Sequence, residues 1–267
     1  MAAEIGFIGI GNMGYAMMKG TLRVFDKMDI IYTDVDRQRV RTVFEETGVR
    51  FVESNAECAN GAKIIVLAVK PQYYTQVLKS IKNIVTDRHI IISIAPGITI
   101  EYLKKELGYD KRIVRAMPNT PALVGEGMTG ISYDARLFTE SEVEKIHQFF
   151  NSFGKAKVVE ERLMNAVVCA SGSSPAYVYM FIEALADSAV KYGLPRKDAY
   201  EFAAQTVLGS ARMVLETGKH PGELKDMVCS PGGTTIAAVS ALEACGFRSA
   251  IIKAADECFD KCSNLKS

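Results

Sequence analysis

Hydroxyl groups and glycines crowd into Asp226-Met227-Val228-Cys229-Ser230-Pro231-Gly232-Gly233-Thr234-Thr235. Pro231 and the paired glycines resist helix, whereas Thr234 onward reads as one through Ile236, Val239 and Leu242, so the stretch is a turn ending at a helix N-terminus. Backbone N–H groups left free by that geometry, with the positive end of the helix dipole behind them, suit a carboxylate or a phosphate. The same residues would also serve as an ordinary helix cap, because Ser-Pro-Gly is common turn material. A second Gly-rich turn lies near the amino terminus, where the apolar strand Ile5–Ile8 runs into Gly9-Ile10-Gly11-Asn12-Met13-Gly14. This is G-x-G-x-x-G between a strand and a helix: Gly9 for the tight turn, Gly11 for close approach of a pyrophosphate, Gly14 for close packing of helix on strand.

The residues after that turn support a dinucleotide. A helix is expected over Tyr15–Val24 and a second strand over Ile30–Thr33, ending in Asp34, 20 residues after Gly14. A carboxylate there accepts hydrogen bonds from the adenosine ribose and repels a 2′-phosphate, which favours NADH with NADPH tolerated. Arg37 and Arg39 come within a turn of it and offer either a clamp for that phosphate or a solvated helix face.

The elements that must position these turns alternate in type. Strands are expected at Ile5–Ile8, Ile30–Thr33, Arg50–Val52, Ile64–Ala68, Ile90–Ile94, Ile113–Arg115, Gly130–Tyr133 and Ala156–Val159, with helices at Arg37–Glu46, Gln72–Ile81, Ile100–Leu107 and Glu140–Phe150. Runs as continuously apolar as Ile64-Ile65-Val66-Leu67 require a sheet covered on both faces. The expectation is α/β, an N-terminal Rossmann-type doubly wound sheet over residues 1–159, followed by an all-helical C-terminal domain over 160–267. Within that second part, Ala176–Lys191 is apolar nearly all round, so it needs cover on more than one side, from the α/β domain or from a second copy of the chain.

Composition narrows the function classes. With 267 residues, 48% of them hydrophobic, and a formal net charge of +1, the chain has no electrostatic bias towards nucleic acid or a membrane surface. Met1-Ala2-Ala3-Glu4 leads into the first strand without a basic-then-apolar leader, so a cytoplasmic location is expected. The uncharged run Leu163–Ile182 is long enough to raise a membrane span, but Ser171–Pro175 breaks it into what should be a buried helix pair around a turn. Six cysteines without a C-x-x-C pair read as reduced thiols, and His89, His147 and His220 are too scattered to suggest a metal site.

Taken together, several ordered motifs resemble the pyrroline-5-carboxylate reductase family over essentially the whole length. They are Gly6–Gly14, Ala68-Val69-Lys70-Pro71, Arg115-Ala116-Met117-Pro118-Asn119-Thr120-Pro121, Ser171-Gly172-Ser173-Ser174-Pro175-Ala176-Tyr177, and Leu224–Glu243 with Ser230–Thr235 inside it. The resemblance implies reduction of the ring C=N of 1-pyrroline-5-carboxylate to L-proline by NADH or NADPH, the last step of proline biosynthesis. It also implies a Rossmann domain followed by a helical dimerisation domain, with homodimers that in some members form rings.

By the same resemblance the pyrophosphate lies over Gly9, Gly11, Asn12, Met13 and Gly14. Asn55 contacts the adenosine side, and Ala68, Val69, Lys70 and Pro71 with Ile94, Ala95 and Pro96 line the channel to the nicotinamide. Glu161 approaches the cofactor from the second domain, Val228 lies beside the substrate ring, and Ser230, Gly232, Gly233, Thr234 and Thr235 hold the substrate carboxylate. Met227 departs from the polar residue of some relatives. Thr235 is the candidate to orient the ring nitrogen; as a hydroxyl of ordinary acidity it is a poor general acid, and a water is the other candidate proton donor. Three other readings remain. A hydroxyacid dehydrogenase would place a lysine on the helix entering the second domain, and none occurs between Lys157 and Lys191. A reductase of another cyclic imino acid differs by one ring methylene, worth only about 1–3 kcal/mol of discrimination. A non-enzymatic dinucleotide sensor would need no turn like Ser230–Thr235.

Overall fold

The computed structural model describes residues 3–264. Strand and helix alternate as β1 (Ala3–Ile8), α1 (Asn12–Thr21), β2 (Ile30–Thr33), α2 (Arg37–Thr47), β3 (Arg50–Phe51), α3 (Asn55–Gly61), β4 (Ala62–Leu67), α4 (Tyr74–Ile81), β5 (Ile90–Ser93), α5 (Ile100–Leu107), β6 (Arg112–Met117), β7 (Gly127–Ser132), α6 (Glu140–Asn151) and β8 (Gly154–Val158). The eight strands form one sheet in the order β3-β2-β1-β4-β5-β6-β7-β8. All neighbours are parallel except β6 and β7, which pair antiparallel with Ala116 opposite Ile131.

Period-two alternation explains why apolar runs make this sheet. Along β4, Ile64 and Val66 enter one core cluster, while Ile65 and Leu67 enter another on the opposite face. Helices α1, α2 and α6 cover the first face through Met17, Val40, Val43, Phe149 and Phe150. The second face takes Cys58 and Ala59 of α3, Leu78 and Ile81 of α4, and Leu103 and Leu107 of α5.

One helix escapes the apolar periodicity. Only seven residues long, α3 has Cys58 and Ala59 as its buried positions. Its signal is a cap: the Ser54 side chain accepts the Glu57 N–H, and Glu57 Oε2 accepts the Glu53 N–H at 3.2 Å.

Beyond β8 the chain is helical. A short 3₁₀ turn precedes α7 (Met164–Val167), which continues through a π turn at Val168–Gly172 into α8 (Ser174–Lys191). Then come α9 (Arg196–Thr217), α10 (Pro221–Val228), α11 (Thr234–Ala244) and α12 (Phe247–Ser263). The chain forms two compact units, one reaching to Ser173 and including the chain from Cys258 onward, the other spanning Ser174–Glu257. They part later than the boundary expected at 159/160, because Met164 and Val168 bury against Met117, and Cys262 completes that cluster. Of the helix pair expected to be buried, Met164 and Val168 are indeed covered, whereas in α8 only Ala186 is. No single helix among the described residues is long and apolar enough to cross a membrane; α11 and α12 together have the length and composition but bend by 47°.

Candidate active site

The carboxyl ends of β1, β4, β5 and β6 share one edge of the sheet, and β1 is the strand at which the order reverses, where open α/β folds bind ligands. The Gly-rich turn is built there. Gly9 has φ +97°, and a Cβ on it would meet the Ala68 carbonyl oxygen at 2.8 Å. A Cβ on Gly14 would meet the Gly9 carbonyl oxygen at 2.3 Å, whereas one on Gly11 would meet nothing within 4 Å. The first and third glycines are thus demanded by packing, and the second leaves open space above the backbone. No side chain caps α1, so the N–H groups of its first turn face that space, a fit for an anion.

Around the turn lies a cleft of ≈ 420 Å³. Gly11, Asn12 and Met13 form one side, with Ala68, Val69, Lys70 and Pro71 after β4 and Ile94, Ala95 and Pro96 after β5. Each of these was expected from sequence. Lys70 is exposed on the wall, a cation suited to a polyanionic cofactor. Beneath the two walls Tyr74, fully buried, donates its hydroxyl to the Leu67 carbonyl at 2.9 Å and lies 2.9 Å from Ser93 Oγ. Burial pushes that phenol far above its ordinary pKa, so the pin stays neutral.

Three expected cofactor residues sit differently. The carboxylate of Asp34 is turned onto the Gly-rich turn itself: Oδ2 accepts the Ile10 N–H at 2.7 Å and Oδ1 the Asp36 N–H at 3.0 Å. Arg39 grips the other end of the same residue, with Nε 3.2 Å from the Ile10 carbonyl and its guanidinium 4.6 Å above the Tyr15 ring. Arg37 is neutralised by Glu53, at 2.8 Å. Asn55 opens α3 and donates to Ser80 Oγ at 3.2 Å. Glu161 is not on the cleft wall; its Oε1 accepts the Ile100 N–H at 2.8 Å and pairs with Arg115 at 3.1 Å. Met117, Pro118, Val168, Gly172 and Ser173 complete the cleft. They belong to or adjoin the Arg115–Pro121 and Ser171–Tyr177 motifs, visible in sequence but without an assigned role.

The second unit holds the other turn. Gly232 has φ +68°, Gly233 N–H donates to the Ser230 carbonyl at 3.0 Å, and Gly233 precedes α11, which no side chain caps. Ser230, Gly232, Gly233, Thr234 and Thr235 are therefore brought together as a turn at the N-terminus of an eleven-residue helix, with Val228 exposed at the end of α10. The same unit carries an apolar hollow of ≈ 530 Å³ lined by Tyr177, Met180, Phe181, Leu242, Phe247 and Ile251. Apart from the Ser188 side chain and the Tyr177 hydroxyl, its lining is apolar.

His89 Nδ1 accepts the Thr86 N–H, His147 lies 3.3 Å from the Tyr133 hydroxyl, and His220 caps α10. Among the described residues no cluster of three or more His, Cys, Asp or Glu side chains is arranged to hold a metal.

Comparison with known proteins agrees with this geometry. Residues 161–265 match the pyrroline-5-carboxylate reductase dimerisation family, and residues 4–97 match a family described as NADP oxidoreductase, coenzyme F420-dependent. The chain is similar to the pyrroline-5-carboxylate reductase of Escherichia coli strain K12, at 48% identity over 99% of each chain. In structure it is similar to the enzyme of Coxiella burnetii, with a TM-score of 0.90 and 34% identity over all of both chains. It is also similar to the Plasmodium falciparum pyrroline carboxylate reductase with NADP bound, at a TM-score of 0.89 and 33% identity over 99% of this chain and 98% of that one. With relatives of this identity matched end to end and the Gly-rich cleft in place, the chain belongs to the pyrroline-5-carboxylate reductase family.

Proposed function

We propose that this chain reduces the ring C=N of 1-pyrroline-5-carboxylate to L-proline, the last step of proline biosynthesis, in the cytoplasm and as a homodimer. The observation that carries the reading is the cleft: an uncapped helix N-terminus opening between Ala68–Pro71 and Ile94–Pro96 at the carboxyl edge of a parallel sheet. Gly9–Gly14 with the α1 amides would hold the pyrophosphate of NADH or NADPH, and Lys70 would add a positive charge. Bound there, NADH or NADPH would supply the hydride.

The protein's own task is to bind, orient and keep water away. The amides of Thr234 and Thr235 at the start of α11 take the substrate carboxylate, with the Ser230 hydroxyl beside them. Val228 covers the apolar ring. Thr235 orients the ring nitrogen. A protonated imine already carries the electrophilic charge, so no carboxylate or histidine is required at the reacting carbon. Asp34, just after β2, keeps a negative charge beside the Gly-rich turn, and Arg37 is occupied by Glu53, which together favour NADH with NADPH tolerated.

The dimer reading is supported by the apolar surface of α8 and α12, where Met180 is 68% and Ile252 62% exposed in the single chain. A second copy is the cover proposed for it, with the helical dimerisation domain taken to start at residue 160.

Thr235→Ala tests the substrate turn. It should leave the fold and cofactor affinity intact and lower kcat/KM for the imine by about ten- to a hundredfold, the loss of one hydrogen bond to a charged group, roughly 1.5–3 kcal/mol. Reduction of 1-pyrroline-5-carboxylate at the parental rate would leave the turn as a helix cap only.

A further inference from the structure

Met117 and Pro118 form a wall of the cleft and stand between two buried polar side chains that hydride transfer does not use. Upstream, Arg115 is 4% exposed, and its Nη1 donates to Glu161 Oε1 at 3.1 Å. That same oxygen accepts the N–H of Ile100, the first residue of α5, at 2.8 Å. Only Gly97, Ile98 and Thr99 separate Ile100 from the Ile94–Pro96 wall. Downstream, Asn119 is 7% exposed and uses both ends of its amide. Oδ1 accepts the Met128 N–H at 2.9 Å, and Nδ2 donates to the Ser171 carbonyl at 3.0 Å. Ser171 leads directly into Gly172 and Ser173, a third stretch of the cleft.

We propose that Arg115 and Asn119 are positioning residues, two clamps that hold the Met117–Pro118 wall in register with the Ile94–Pro96 wall on one side and the Gly172–Ser173 wall on the other. The proposal rests on the cleft being the dinucleotide site. An arginine this buried is stable only with its carboxylate opposite, so the Arg115–Glu161 pair resists separation and fixes the start of α5. Asn119 bonds only to backbone groups, a donor and an acceptor whose roles are fixed, so its amide determines the spacing of two chain segments rather than of two mobile side chains. Side chains that hold liganding segments in place act on affinity without touching the ligand.

The test uses full-length purified enzyme. Arg115→Met and Asn119→Ala should each raise the calorimetric Kd for NADH and NADPH by about tenfold, and Arg115→Lys should recover most of the loss. Hydrogen exchange of the ligand-free enzyme separates the clamps: Arg115→Met should speed exchange in residues 94–100, and Asn119→Ala in residues 168–173 and at Met128. If Arg115→Met does not fold, Glu161→Gln, which keeps an acceptor for the Ile100 N–H but removes the charge, should show a smaller shift in the same segment. Cofactor affinity within about twofold of the parent in Asn119→Ala and Glu161→Gln, or exchange that quickens uniformly across the sheet, overturns the proposal. Gly14→Val reports on the cleft itself. Parent-like affinity in that variant overturns the cleft reading and the clamps together, whereas weakened binding there with parent-like binding in the clamp variants overturns the clamps alone.

Discussion

The sheet unit and the helical unit Ser174–Glu257 solve the problem of burial in opposite ways. In the first, both faces of an eight-stranded sheet are covered, and side chains as large as Tyr32, Phe7, Phe149 and Phe153 are sealed from solvent. Phe149 meets Phe150 and Phe153 edge-on at 5.0 and 5.4 Å. In the second, the buried residues are Ala186, Ala199 and Ala203, around which α8 and α9 pack, while Tyr179, Phe202, Leu215 and Ile252 lie open. A sheet can close its own core, since helices are available for each face. Long helices with small residues at their contact leave their large side chains pointing outward, exposed in the single chain.

The largest expected effect strikes the open unit. Phe181, 41% exposed and 6.2 Å from the Phe247 ring, sits in the apolar hollow. If a second copy covers it, Phe181→Glu buries an unpaired charge and should weaken the dimer by about 3 kcal/mol or more. Light scattering over a dilution series reads this directly. A parent protein that is monomeric and active at all concentrations would end the contrast between a closed unit and one completed by its partner.

Next comes a break confined to the closed unit. In Gly14→Val the side chain meets the Gly9 carbonyl at 2.3 Å, a backbone atom that cannot step aside. Forcing α1 away from the turn should cost about 1–3 kcal/mol, felt first as weaker cofactor binding. Dimerisation should be unaffected. Loss of the dimer in this variant would show that the two units do not fail independently.

Asp34→Ser should act on a scale of roughly 1.4 kcal/mol, a shift of about tenfold in the kcat/KM ratio towards NADPH. Because Asp34 also accepts the Ile10 N–H, binding of both cofactors should weaken together with the shift in ratio. An unchanged ratio with uniformly weaker binding would make Asp34 a support of the turn and not a selector.

The smallest effect concerns the cap of α6. Burial pushes the Glu142 carboxyl up, but the Thr139 N–H and hydroxyl and the Arg112 guanidinium outweigh it and hold the group below the usual carboxylate range. A folded-state pKa below the unfolded one gives stability that is present above the unfolded value and is lost as pH falls through the folded value. Glu142→Gln should therefore be less stable than the parent by about 1 kcal/mol at pH 7, with the gap closing below about pH 4. Urea melts at the two pH values check this, and a gap that is the same at both would remove the charge from the account.

Much of the sheet unit was legible because its determinants are local. Largely apolar runs of three to five residues between turn signals marked all eight strands, and the Gly9–Gly14 spacing marked one side of the cleft, whereas Ala68–Pro71 and Ile94–Pro96 were marked by the family resemblance and by the apolar strands they follow. The start of α1 at Asn12 and the whole of α3 were less visible, since a glycine turn and a side-chain cap define them rather than a periodic apolar face.

What residue types and spacing determined by themselves was the order of the elements, the Gly-rich turns at two helix N-termini, and the nearly all-round apolar composition of α8, each set by interactions within a few residues of chain. Only the tertiary structure decided which group each polar side chain would meet. Asp34 turned to Ile10, Arg37 to Glu53, and Glu161 to Arg115 and Ile100. These partners are 16 to 61 residues apart in sequence, and a carboxylate binds whichever donor the packed backbone brings within 3 Å, which no local pattern encodes.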